Sequence, residues 1–343
     1  MILPTTMDQW VLRGTDGFSS LKLEQSAIPE VGEFDVLIKF HAASLNYRDL
    51  MIAKGTYYWP LKEGIVPVSD FAGEVLCIGS KVTRFQKGQR VAGCVHQTHI
   101  AGSLSKEDAM NAVGSLVDGA LRKYGVYNEH GLVKIPENLS YREGATLPCA
   151  ALTAWNSLYG AKPLLPGNTV LTLGSGGVSV FAIQFALVGG AQVISTTSSN
   201  EKAAVLKKLG AHHVINYKEN ANWGNTARKL SYGGLGADYV IEVSGPNTME
   251  QSSIAAAIDG MIAVIGTRGG RTSSGALAHT ALVTTRRIMI GNRLQFEEMN
   301  RAIEINNIKP IIDSKVFKFE EAPEAFQYLW DQKAVGKVVI DIE

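Results

Sequence analysis

The 343 residues carry 33 Lys and Arg against 32 Asp and Glu, a net charge of +1, so no one-signed field directs the chain to nucleic acid or to an anionic membrane. Hydrophobic residues make up 45% and charged residues 19%, which excludes a disordered or fibrous chain, and the length suits two domains. The 35 glycines are spaced too unevenly for collagen, and three scattered cysteines, Cys77, Cys94 and Cys149, cannot frame a disulfide scaffold, which points to a reducing, cytoplasmic setting.

From Met1 to Trp10 no basic cluster precedes an apolar run, so no secretory signal is expected. Residues 1–149 read as short strands between Gly and Pro turns, clearest at Val36–Ala43 and Gly73–Ile78. Over residues 150–291 apolar strands alternate with helical patterns, with strands predicted at Thr169–Leu173, Gln192–Thr196, His213–Tyr217, Ala237–Val243 and Met261–Gly266. That alternation predicts βαβ units on a parallel sheet, an α/β fold. Pro163 to Asn200 holds no charged residue, a run long enough for a membrane span. Its glycines at Gly174, Gly176 and Gly177, and the polar Gln184, Gln192 and Ser/Thr cluster at 195–199, fit a buried strand, loop, helix and strand instead. A helix is expected over Asn200–Leu209, capped by Ser199 or Asn200 and stopped at Gly210. Residues 292–343 show an amphipathic helix near Phe296–Asn306, an acidic helix start at Glu320–Glu324 and a strand over Lys337–Ile342.

The chemistry begins where Thr169–Leu173 runs into Gly174, Ser175, Gly176, Gly177 and Val178. A strand entering glycines and then an apolar helix turns unpaired N–H groups and the positive end of the helix dipole toward a diphosphate. Ser179 stands where the dinucleotide fingerprint has its third glycine, and a plain turn is the alternative. About 20 residues beyond Gly177 an NAD-binding protein has a carboxylate for the ribose hydroxyl; here the position is Thr197, followed by Ser198, Ser199 and Lys202. These hydroxyls and one cation suit a 2′-phosphate, hence NADPH, unless Ser199 merely caps a helix and Lys202 is a solvated surface lysine.

Five stretches together resemble the medium-chain dehydrogenase/reductase superfamily, in its zinc-lacking quinone oxidoreductase-like branch: Ser44–Asp49, Pro67–Glu74, Leu147–Trp155, the Gly174 loop and Gly336–Val339. The resemblance implies a GroES-like, mainly β substrate domain from residues 1–149 and 292–343, a Rossmann doubly wound parallel sheet over 150–291, an active site in the cleft, and homodimers or homotetramers. Zinc-dependent members carry a catalytic Cys, His and Cys where this chain has Asn46, Ser69 and Cys149, and one soft ligand of three is too few for a catalytic zinc. The four-cysteine structural zinc cluster is missing too, and the local set Cys94, His96 and His99 lacks a fourth ligand. No metal is expected.

The resemblance also implies roles. Asn46 would donate to the substrate oxygen, Tyr47 would lie by the cofactor phosphates and Asp49 would brace the motif. Tyr57, Tyr58 and Trp59 would wall the substrate pocket, with ordinary core packing as the alternative. Arg48 stands in place of a proton-relay hydroxyl, leaving solvent as a proton source. Thr153 would lie beneath the nicotinamide, Tyr217 against the 2′-phosphate and Lys337 on the diphosphate, with Ser244, Gly266, Thr267 and Gly291 along the nicotinamide ribose and ring. The expected activity is NADPH-dependent hydride transfer to a small-molecule quinone or α,β-unsaturated carbonyl. Two alternatives stand beside it: a zinc-type alcohol dehydrogenase, and a non-catalytic NADPH-binding protein in the manner of lens crystallins.

Overall fold

A computed structural model describes residues 4–266 and 282–342. The chain forms two compact units, the first from residues up to Leu152 together with those from Asn292 onward, the second from Thr153 to Gly291.

The first unit is built on two long strands, Asp35–Ser44 and Asp70–Ile78, paired antiparallel. The apolar run Val36, Leu37, Ile38 and Phe40 is buried almost completely because this strand lies in the interior of a seven-stranded sheet. Phe40 meets Phe71 at 4.7 Å between ring centroids, and Phe71 stacks on Tyr127 at 4.9 Å, which knits neighbouring strands through one face. Gly73 is required by close approach, since a Cβ there would lie 2.3 Å from the Lys39 carbonyl oxygen. The strand Val339–Asp341 returns antiparallel to Ala42–Ser44, so residues from both ends of the sequence share one sheet.

Two boundaries differ from expectation for local reasons. The helix expected near Phe296 starts earlier, over Arg293–Ile305, because Asn292 and Gln295 form a capping box. The strand expected from Lys337 covers only Val339–Asp341, since Lys337 is drawn aside to bridge Ile312.

The second unit is a six-stranded, fully parallel sheet in the spatial order 213–216, 192–197, 169–173, 237–242, 256–264, 283–287. That is the doubly wound order 3-2-1-4-5-6, with its switch point beside Thr169–Leu173. The strand expected at Met261–Gly266 runs over Ala256–Val264 instead, and Arg228 clamps its start by donating to the Ile254 and Ala256 carbonyls at 2.9 and 2.7 Å. The uncharged stretch before Asn200 forms the strand Thr169–Leu173, the helix Gly177–Val188 and the strand Gln192–Thr197. Among the described residues no helix is long and apolar enough to cross a membrane. Ser199 is the cap of the helix Asn200–Lys208, its hydroxyl accepting from the Lys202 N–H at 3.3 Å.

Candidate functional site

The loop that follows Thr169–Leu173 is an open cradle. Gly174 has φ +77°, and neither at Gly174 nor at Gly176 would a Cβ meet any atom within 4 Å. The helix begins at Gly177 with no side chain capping it, so its first N–H groups face the free space in front of Ser175, Gly176 and Val178. The Ser179 hydroxyl donates to the Leu173 carbonyl at 2.6 Å, stitching the helix to the strand that feeds it. This contact explains why serine is accepted where the fingerprint has glycine.

At the end of the neighbouring strand Thr197 is buried and its Oγ1 has no hydrogen-bond partner among the described residues. Its carbonyl accepts from the Tyr217 N–H at 3.0 Å, which brings Tyr217, its ring 41% exposed, beside Thr197, Ser198 and the helix bearing Lys202. Thr197, Ser198 and Tyr217 thus stand together at this strand end, followed by the first turn of the helix Asn200–Lys208, which carries Lys202 and also Glu201, whose carboxylate is hydrogen-bonded with Ser199.

Glu242 ends the strand Ala237–Glu242 fully buried. Its Oε1 accepts from the Ser244 and Gly245 N–H groups, each at 2.9 Å, and from Thr248 Oγ1 at 2.7 Å, while Oε2 accepts from Ser252 Oγ. The carboxylate therefore shapes the loop that carries Ser244. Gly266 lies against the same loop, where a Cβ would come within 2.0 Å of the Val243 carbonyl oxygen. The Gly174 loop, Thr197, Ser244 and Gly266 all lie at the carboxyl ends of adjacent parallel strands, where open α/β sheets bind ligands. Thr153 is buried in the helix Leu152–Tyr159, and that helix is tied through Asn156 Nδ2 to the Ile290 carbonyl at 2.6 Å, next to Gly291. Thr267 falls outside the described residues.

The first unit holds a second cluster around Asn46, which precedes the helix Tyr47–Ala53. Asp49 Oδ2 accepts from the Asn46 N–H at 2.8 Å, so Asp49 braces the backbone beneath the amide. Burial pushes the Asp49 carboxyl up to about 6 against the opposing charge of Arg48. Lys337, 2% exposed, sends Nζ to the Leu45 carbonyl at 2.8 Å, to Asn46 Oδ1 at 2.6 Å and to Asp70 Oδ2 at 3.4 Å. An ammonium only donates, so the amide atom facing it is the oxygen and the NH2 end points away. Asn46 Nδ2 is shielded from solvent and has no partner among the described residues.

This differs from the contact expected of Lys337 on a diphosphate. Its Nζ is directed to three acceptors inside the first unit.

Arg48 is also committed, with Nη1 donating to the Val113 carbonyl at 2.9 Å and Nη2 to Ser115 Oγ at 3.2 Å, so it fixes a loop and is no relay for a proton. Tyr57 accepts from Arg48 Nε at 3.4 Å and packs on the first core, which matches core packing for that ring. Tyr58 is 43% exposed, with the Tyr57 and Trp59 rings at 5.1 and 6.1 Å. The Tyr47 ring stacks parallel to Trp330 at 6.3 Å.

The three positions matched to zinc ligands do not fit a metal. Asn46 Oδ1 is taken by a cation and Ser69 Oγ donates to Asp70 Oδ1 at 2.8 Å, which leaves Cys149 as the one soft ligand of the three. In the local set burial raises the Cys94 thiol to about 12, and burial followed by the charge of Arg48 lowers His96 to about 4, which keeps its imidazole neutral. Among the described residues no group of three or more His, Cys, Asp or Glu is arranged to hold a metal.

Sequence reasoning missed Glu242 and the Lys337–Asp70 pair. A signal existed for the first, a carboxylate at a strand end followed within ten residues by Ser244, Gly245, Thr248 and Ser252. The second had none, because its partners are far apart in the chain.

Residues 32–137 match the family described as alcohol dehydrogenase GroES-like domain, and residues 177–305 that described as zinc-binding dehydrogenase. A zinc-type alcohol dehydrogenase-like protein of Schizosaccharomyces pombe is 44% identical over 95% of this chain and 96% of its own length. The chloroplastic NADPH-dependent alkenal/one oxidoreductase of Arabidopsis thaliana is 30% identical over 98% of this chain and 80% of its own. The structure of the quinone oxidoreductase from Coxiella burnetii superposes with a TM-score of 0.79 at 27% identity, covering 98% of this chain and all of that one. With a cofactor cradle at the sheet's switch point and a GroES-like unit beside it in sequence, the chain belongs to the medium-chain dehydrogenase/reductase superfamily, in its quinone oxidoreductase-like branch, and is a nicotinamide-dependent oxidoreductase.

Proposed function

We propose that the protein is an NADPH-dependent, zinc-independent reductase of quinones or α,β-unsaturated carbonyl compounds. The observation that carries this reading is the Asn46 amide, whose oxygen is held by Lys337 and whose NH2 is buried without a partner. A shielded donor left unsatisfied costs about 1–3 kcal/mol, a deficit that an acceptor from the substrate removes. NADPH, when bound, supplies a hydride. As the electron-poor carbon accepts it, negative charge grows on the conjugated oxygen, and a preoriented amide donor stabilises that charge more than the neutral ground state. Lys337 places positive charge next to the same amide, which opposes a zinc ion there.

Thr197 in place of a carboxylate, with Ser198, Lys202 and Tyr217 around it, supports the preference for a 2′-phosphate. The Gly174 loop takes the diphosphate, and Thr153, Ser244, Gly266, Thr267 and Gly291 remain the proposed contacts of the nicotinamide half. The reading extends to a homodimer or homotetramer in the cytoplasm, acting on a small molecule.

The test is steady NADPH oxidation across quinones, enones, aldehydes and alcohols. Turnover is expected with quinones or enones, unchanged by chelators and lowered ~10²–10³-fold by Asn46→Ala. Alcohol oxidation that chelation abolishes and zinc restores would establish the zinc-type alternative. NADPH binding without turnover of any substrate would leave a non-catalytic binding protein.

A further inference from the structure

We propose that Lys337 is a positioning residue for the reduction: its Nζ fixes which end of the Asn46 amide faces the substrate and strengthens that end as a donor. This rests on the reading of Asn46 as the donor to the developing oxyanion.

The geometry leaves Lys337 little freedom. Its own N–H donates to the Ile311 carbonyl at 2.9 Å, and its carbonyl accepts from the Asp313 N–H at 2.9 Å. The next residue is held equally, with the Val338 carbonyl accepting from Ser44 Oγ at 2.9 Å and from the Leu45 N–H at 3.0 Å. The side chain therefore leaves a clamped backbone and ends on three acceptors in a site only 2% exposed. Asp70 is anchored in turn, since Oδ1 accepts from Ser69 Oγ at 2.8 Å and Oδ2 from the Cys149 N–H at 3.3 Å. It balances the lysine charge without competing for the amide.

Two consequences follow for Asn46. Rotating the amide by half a turn would set NH2 against NH3⁺, donor against donor, and would present an oxygen to the substrate's own oxygen. The ion pair thus selects one of two otherwise similar rotamers. A cation on the amide oxygen also draws electron density from nitrogen, which makes the NH2 protons better donors in a site of low dielectric. Asp49 holds the backbone of the same residue, so the amide is fixed at both ends.

This role separates cleanly from that of a cofactor-binding lysine. Lys337→Met keeps the chain length and removes the donor. We expect single-turnover hydride transfer to an enone to slow about tenfold or more, the usual effect of losing a charged hydrogen bond, while the NADPH dissociation constant stays within about twofold. Lys337→Gln, which retains a neutral donor, should recover part of the rate. In an Asn46→Ala background Lys337→Met should add almost nothing, because the lysine acts through the amide it no longer has. In ¹⁵N-asparagine-labelled protein, the side-chain resonance lost in Asn46→Ala should shift in Lys337→Met.

A weakened NADPH affinity with unchanged hydride transfer would overturn the inference, as would additive effects in the double variant. If Asn46→Ala itself leaves turnover normal, it is the reading of Asn46 that fails, whatever Lys337 does. Should both lysine variants fail to fold, a crystal structure of the wild-type NADPH complex decides. Nζ on Asn46 Oδ1 supports the assignment, and Nζ on a cofactor phosphate refutes it.

Discussion

Glu242 offers a measurement of how firmly the loop that carries Ser244 is built in the second unit. In Glu242→Gln the Oε1 position remains an acceptor for the Ser244 and Gly245 N–H groups and Thr248 Oγ1, but as a neutral oxygen. A hydrogen bond to a charged group contributes ~1.5–3 kcal/mol and a neutral one ~0.5–1.5, so three weakened bonds lose about 3 kcal/mol together. The new NH2 faces Ser252, whose hydroxyl can turn to accept, so that contact is roughly neutral. Removing a fully buried charge returns part of its desolvation cost, which brings the expected net loss to ~1–3 kcal/mol. Set against the unfolding entropy of 343 residues, ~2.1 cal/mol/K each, that is a fall of roughly 1–4 °C in Tm. Differential scanning calorimetry with and without NADPH reads it directly. Because the loop carries Ser244, NADPH should bind more weakly, whereas 2′-phospho-ADP-ribose, which lacks the nicotinamide, should bind as before. A Tm at or above that of the wild type, with NADPH affinity intact, would show that the carboxylate does not hold the loop.

Three further outcomes follow. Lys202→Ala should weaken NADPH about tenfold or more and leave NADH nearly unchanged, measured by fluorescence titration of both; equal affinity of the wild type for the two cofactors would refute the 2′-phosphate assignment. Asp49 has its folded pKa raised from 3.8 to about 6, so the unfolded chain releases that proton first and stability falls as pH rises through this window. Asp49→Asn, which keeps an acceptor for the Asn46 N–H, should therefore gain Tm relative to wild type between those two pH values. His96 is depressed from 6.5 to about 4, so its contribution has the opposite sign and is lost on acidification; His96→Gln should lose less Tm than wild type on the way from 6.5 to about 4.

The parallel sheet was legible because its signals are local. A fully buried strand such as Thr169–Leu173 is a continuous apolar run, and the loop after it is marked by Gly174, Gly176 and Gly177. Strand ends were less legible where long-range contacts override them, as at Ala256, whose carbonyl Arg228 claims. The absence of a carboxylate at Thr197 could be counted off the sequence, but that its Oγ1 is buried without a partner could not. Lys337 shows the limit most sharply. Its acceptors lie 267–292 positions earlier in the chain, and a Gly-Lys pair carries no mark of whether its ammonium meets a phosphate or an amide. Tyr58 belongs with it, since three consecutive aromatics say nothing of which one turns outward.

The pairing of Ser44 with Val339 also sets a timetable for synthesis. The parallel sheet of the second unit closes on contiguous sequence and can form as the chain emerges. The strand that leads to Asn46 has to wait for a partner some 300 residues later, roughly 15–60 s at the usual elongation rates of ~5–20 residues per second. During that interval the Ala42–Ser44 edge stands bare, a template for pairing with another nascent chain. A ribosome that stalls before Lys337 would leave a product that can fold the Gly174 loop but has no ammonium on Asn46, and on the roles proposed above it binds nucleotide without turning over substrate. Cofactor binding therefore does not report that the enzyme is finished, and rare-codon placement upstream of Gly336 should change the yield of active enzyme more than the yield of nucleotide-binding protein.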